Sequence, residues 1–180
     1  MTGYYRNFIK NYGIITSCLN KLTSIKNAFK WEDIHQIAFE DLKEKLINPP
    51  VLIYPDFNCE FTVTCDASGG GIGAVLSQVS DGKDKPVAFA SRAWNDREKK
   101  QSLDSAIEKK LLEVVWLVKH WNQYLYGRHF KIVTDHKPLT YLNSMCNSNY
   151  RMKMKNDLAQ YDFEIKYKKR MFEYKRRCVK

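Results

Sequence analysis

Apolar residues recur every three to four positions over the first fifty residues, at Tyr5, Phe8 and Ile9 and again at Ile34, Phe39, Leu42 and Leu46, until Pro49 and Pro50 interrupt the chain. That spacing predicts a small helical segment. Beyond Pro55 the period falls to two: in FTVTCDAS, Phe61, Val63 and Cys65 point to one side and Thr62, Thr64 and Asp66 to the other, as in a strand. Gly69, Gly70, Gly71 and Gly73 turn the chain into a second apolar stretch, IGAVLSQV, and SDGKDK separates it from a third, PVAFASRAW. From about Ser102 to Tyr126 the helical period returns, with Ile107, Leu111, Val114, Val115, Val118, Trp121 and Leu125 in one stripe that ends at Gly127. A fourth strand, FKIVTD, leads to Asp135; a short helix from about Pro138 and another near 150–160 precede a fifth strand, DFEIKY. The order βββαβαβ predicts an α/β (α+β) domain, a five-stranded mixed sheet with flanking helices.

The composition adds three constraints. With 180 residues, 44% of them hydrophobic, the chain has material for one main core and a small appendage. Its five cysteines are scattered without a CxxC pair, which suggests neither a disulfide framework nor a zinc site and fits a reducing compartment. No apolar run approaches a membrane span and MTGYYRNFIKNYG lacks the apolar centre of a signal peptide, so an intracellular protein of the cytoplasm or nucleus is expected. The net charge of +10 favours a polyanionic partner, nucleic acid foremost, through counterion release. Residues 150–180 carry eleven Lys or Arg against Asp157, Asp162, Glu164 and Glu173, which is +7 of that excess. This basic end reads equally as a phosphate-binding arm and as a solvated tail.

Asp66 and Asp135 each fall at a strand end, where two carboxylates can converge on a hard cation such as Mg²⁺. Taken alone, such an aspartate is more often a turn or cap residue. His120, His129 and His136 are not at metal-ligand spacing. Trp94, Trp116, Trp121 and Tyr124 read as core residues rather than as stacking platforms for bases.

Three strings, CDASGGGIGAVLSQ (65–78), KPVAFASRAWND (85–96) and YLYGRHFKIVTDHKPLTYL (124–142), resemble the ribonuclease H domain of gypsy-type long terminal repeat retrotransposons. Upstream, YYRNFIKNYG (4–13) and FKWEDIHQIAFEDLKEKLINPPVLIYPDF (29–57) resemble the end of the reverse transcriptase of such elements, and LAQYDFEIKY (158–167) resembles the last strand of the nuclease. The resemblance implies a part of a Pol polyprotein. Residues 1–50 would be a remnant of the thumb and connecting region, 51–168 a ribonuclease H-like domain and 169–180 a basic tail; the break at Pro49 and Pro50 predicts that the first segment packs only loosely on the sheet domain. The resemblance also implies that Asp66 and Asp135 are catalytic and metal-holding carboxylates, with Mg²⁺ as cofactor and an RNA/DNA hybrid as partner.

The chain departs from the pattern in two places. Where the family has a glutamate, in a string like TEKELLAIVW, this chain reads IEKKLLEVVW and places Lys110; the fourth aspartate, in a VADALSR-like ending, has no counterpart in KYKKRMFEYKRRCVK. At about 100° per residue, Glu108 points roughly 160° away from Lys110 and Glu113 about 60° aside, which makes both poor replacements. Lys110 itself, on the flank of the apolar stripe, is expected both to snorkel and to repel metal. No DD pair occurs, so polymerase acids of the YxDD type are not in this chain. The function implied is nucleic-acid binding by a degenerate copy with impaired cleavage. An active hybrid-specific endoribonuclease within a larger polyprotein, and a non-functional remnant, are the alternatives.

Overall fold

A computed structural model describes residues 2–24, 28–48, 50, 52–65, 71–95, 98, 106–144 and 149–169. Its centre is a five-stranded sheet formed by β1 (Phe61–Cys65), β2 (Gly71–Ser80), β3 (Lys83–Ala93), β4 (His129–Thr134) and β5 (Asp162–Tyr167). The spatial order is β3-β2-β1-β4-β5. The first three strands form an antiparallel meander, and β4 runs parallel to both β1 and β5, so the sheet is mixed as the element order predicts. Asp81 and Gly82 join β2 to β3 with positive φ of 55° and 72°, the left-handed pair that a tight hairpin requires.

The period of two in β1 reaches the core intact, with Phe61, Val63 and Cys65 buried and the threonines between them half-buried. Helix α4 (Ala106–His120) lies over the sheet; Leu111, Val114, Val115, Leu117 and Val118 share one apolar cluster with Phe61, Val63, Leu76, Phe130 and Ile132. Each such buried side chain stabilises the fold by about 1.5–3 kcal/mol. The stripe predicted for this helix continues past its end, but the helix does not. At Trp121 the backbone leaves helical values (φ −101°, ψ 23°), and one further turn, α5 (Asn122–Leu125), follows before Gly127 with φ 73°. Bonds from Trp121 N–H to the Leu117 carbonyl and from Leu125 N–H to the Trp121 carbonyl bridge the bend, and both side chains stay buried. Burial of these two residues is thus kept across the interruption of the helix. A 3₁₀ segment (Lys137–Ser144) carries Leu139 into the core, and α6 (Asn149–Leu158) adds Met154 and Leu158.

The N-terminal segment departs from the expected loose packing. It comprises a 3₁₀ turn (Thr2–Phe8), α1 (Tyr12–Ile15), α2 (Ser17–Leu22) and α3 (Asp33–Ile47). Its first half sits directly on β3: Gly13 N–H donates to Ser91 Oγ at 2.7 Å, Arg6 donates to the Ser91 carbonyl at 3.3 Å, and Ile9 is buried. A Cβ on Gly13 would lie 2.7 Å from the Arg92 Cα, so the glycine permits backbone-to-backbone approach. Helix α3 opens with a capping box in which Glu32 N–H donates to His35 Nδ1 at 3.0 Å, which satisfies a buried histidine. Among the described residues no helix is long and apolar enough to cross a membrane.

Candidate functional site

Parallel pairing of β1 with β4, with Thr64 opposite Val133, brings the C-terminal ends of these strands side by side. Asp135 follows β4 directly at this edge. Asp66, which follows Cys65 in the chain, lies outside the described residues. The expected convergence of the two aspartates therefore rests, on the described side, on the adjoining strand ends alone.

What faces Asp135 is Lys110. Its Nζ donates to Asp135 Oδ1 at 2.8 Å and lies 3.4 Å from Glu113 Oε2. The three side chains are 14%, 24% and 0% exposed in the order Lys110, Asp135, Glu113. This corrects one expectation: Lys110 does not snorkel to solvent but turns inward, bridging α4 and the end of β4. Glu113, expected to be a poor replacement ligand, meets the ammonium instead, because side chains three residues apart on a helix are neighbours. The signal was present in the sequence, since Glu113 stands where the string TEKELLAIVW has an alanine.

Burial by itself would lower the Lys110 pKa, but the charge of Glu113, the hydrogen bond and charge of Asp135 and a smaller contribution from Cys65 outweigh it, so the ammonium is held above its ordinary value of 10.5. Its neighbour His136 moves the other way: burial and then the Lys110 charge lower it, and Asp135 offsets only part. His136 N–H donates to Thr134 Oγ1 at 3.2 Å, which fixes the chain as it leaves the strand.

The other histidines lie elsewhere. His129 opens β4 at the opposite end of the strand, between Asp162 Oδ1 at 3.0 Å and Glu60 Oε1 at 3.7 Å. His120, ten residues and about 15 Å along the helix from Lys110, stacks on Trp116 with ring centroids 4.9 Å apart. Trp94 and Trp121 are buried, and Trp116 and Tyr124 pack partly buried against the core, as their spacing predicts.

A hard divalent cation takes carboxylate oxygens and water. Here one of the two Asp135 oxygens, Oδ1, already accepts a hydrogen bond from an ammonium. Among the described residues no group of three or more His, Cys, Asp or Glu is arranged to hold a metal ion. The described residues of this centre thus do not fit the metal that the fold implies. They form instead a compact cluster of two carboxylates and one cation.

Residues 31–132 match the family described as the RNase H-like domain found in reverse transcriptase. The chain is 43% identical over 167 residues to the retrovirus-related Pol polyprotein from transposon 412 and 44% over 172 residues to that from transposon 297, both of Drosophila melanogaster. A Tf2-3 transposon polyprotein of Schizosaccharomyces pombe is 34% identical over 171 residues. These alignments cover 92–93% of this chain but only 13–15% of the relatives, so the chain spans a small part of their length. Among solved structures, foamy viral protease-reverse transcriptase dRH in complex with double-stranded DNA superposes with a TM-score of 0.76 at 20% identity, over 96% of this chain and 31% of that one. The same viral protein in complex with an RNA/DNA hybrid gives 0.70 at 21%, over 96% and 24%. These likenesses show a shared fold, and with the family match over more than half its length the chain belongs to the RNase H-like domains found in reverse transcriptases.

Proposed function

We propose that this chain is the ribonuclease H-like portion of a retrotransposon Pol polyprotein that binds nucleic acid, an RNA/DNA hybrid foremost, and has lost most or all hybrid cleavage. Residues 51–168 are the binding domain, 1–50 the end of the polymerase and 169–180 a basic arm, with the remainder of the polyprotein as a further partner. Binding is supported by the net charge of +10 and by the duplex DNA and hybrid held by the foamy viral neighbours. A nucleic-acid partner accords with residence in the cytoplasm or nucleus.

The observation that carries the loss of cleavage is the Lys110 ammonium 2.8 Å from Asp135. Two-metal hydrolysis sets two cations about 3.5–4 Å apart and needs several carboxylates around them. With Mg²⁺ the family's chemistry would rest on Asp66, Asp135 and a glutamate, and the glutamate position is a lysine. At about 4 Å and an effective dielectric near 20, one unit charge opposes another by ~4 kcal/mol, and a divalent ion is opposed more.

The test is incubation of the purified chain with labelled hybrid in Mg²⁺ and in Mn²⁺ beside an Asp66→Asn control. The hybrid is expected to stay intact in both. Cleavage that the control abolishes would establish the competing reading, an active endoribonuclease with improvised ligands.

A further inference from the structure

The reading above requires only that cleavage fail; the geometry of the centre says more about why, and it rests on that reading only for its biological setting. Lys110 and Glu113 sit one helical turn apart on α4, and Asp135 comes from the end of β4, so the ammonium is approached by carboxylates from two elements. Glu113 is fully buried in the interior that α4 shares with the sheet. A carboxylate there is tolerated only with a cation beside it, and two facing carboxylates demand one. Lys110 supplies that charge with its Nζ within 3.4 Å of both.

We propose that Glu113 and Asp135 constitute a cation-binding pair whose resident cation is the chain's own Lys110 ammonium, so that the cation position is filled from within and takes up no divalent metal while Lys110 is in place. The site is then a closed ionic joint between α4 and the end of β4 rather than an open metal site short of one ligand. Its two carboxylates are matched to a cation, and removing the ammonium converts the joint into a place where Mg²⁺ or Mn²⁺ binds. Glu113 becomes a ligand of that latent site, a role in which Lys110 currently replaces the ion.

The experiment is thermal unfolding of the full chain in EDTA, Mg²⁺ and Mn²⁺ at matched ionic strength, for the wild type, Lys110→Met and the double variant Lys110→Met/Glu113→Gln. The wild-type midpoint is expected to shift by less than about 1 °C between conditions. Lys110→Met should unfold at lower temperature in EDTA and recover by several degrees in Mn²⁺, and Glu113→Gln should abolish that recovery. A wild type stabilised by Mn²⁺ as strongly as the variant would overturn the proposal, and so would a recovery that survives Glu113→Gln. Should Lys110→Met fold in no condition, the wild type decides alone by Mn²⁺ titration followed by electron paramagnetic resonance. No uptake that Asp135→Asn removes supports the closed joint, and stoichiometric uptake lost in Asp135→Asn ends it. None of these readouts involves nucleic acid, so a chain that fails to bind hybrid would defeat the proposed function and leave this inference standing.

Discussion

Strands β1 and β4 carry a charge cluster at each end, and the two clusters use the same kinds of groups. At the start of the strands, His129 lies between Glu60 and Asp162, and Lys131 pairs with Glu60. At the far end, Lys110 joins Asp135 and Glu113. The first cluster has side chains 32–75% exposed, and the second none above 24%. Exposed pairs are screened and are worth about 0–1 kcal/mol each, whereas a buried charge stripped of its partner costs several. Burial, and not the number of ion pairs, therefore decides which end of the strands is under strong electrostatic constraint.

The largest effect should come from Lys110→Met, which leaves two inward carboxylates without their ammonium. The expected loss is about 3–5 kcal/mol of unfolding free energy by denaturant titration in EDTA. A loss under about 1 kcal/mol would mean that the buried centre behaves like the exposed one and would erase the distinction.

The alkaline limb of the stability profile sharpens the comparison. Because the folded pKa of Lys110 is raised, its contribution is fully present below 10.5 and is lost as pH rises through the folded value. Wild-type stability should fall in that range, the fall should be much smaller in Lys110→Met, and Lys131→Met should keep it. Equal profiles for the two variants would place the alkaline loss elsewhere in the chain.

Smaller changes are expected at the exposed end. Lys131→Met and His129→Ala should each alter stability far less than Lys110→Met, and raising salt should shrink the Lys131 effect further. Either one exceeding Lys110→Met would reverse the ranking.

His120 stands between these extremes, partly buried on Trp116, with burial and then the Arg6 charge lowering its pKa. The neutral ring is favoured in the folded state. Its contribution is therefore full above the unfolded value of about 6.5 and is lost as pH falls below it toward the lower folded value. Arg6→Gln should raise the His120 pKa modestly in an NMR titration, and an unchanged value would separate the N-terminal segment electrostatically from α4.

Much of this fold was legible because burial imposes periods. The alternation in FTVTC marks the buried face of β1, the stripe from Leu111 to Leu125 marks the core face of α4 and α5, and Gly127 marks the stop with a left-handed φ. The bend at Trp121 was not legible, since the same stripe suits a straight helix and a bent one. Nor was the seating of Gly13 on Arg92, because a glycine that allows close backbone approach reads in sequence like one that ends a helix. At the site, Lys110 was legible as a charge in a ligand's position. Its inward course was not, because a helical-wheel angle describes where a side chain starts rather than how far it reaches, and its pairing with Glu113 was marked only by a glutamate where the family string has an alanine. Asp66 and the basic residues 170–180 fall outside the described residues, so the expectations placed on them stand as proposals.

The central claim, that this domain binds nucleic acid without a divalent metal because its centre is closed by its own cation, is tested most directly by hybrid affinity with and without divalent metal. Titrating an RNA/DNA hybrid into the wild type in EDTA and in Mg²⁺, at matched ionic strength, should give dissociation constants that agree within about twofold and an intact RNA strand throughout. Binding that appears only with Mg²⁺ would contradict the account and restore an open metal site.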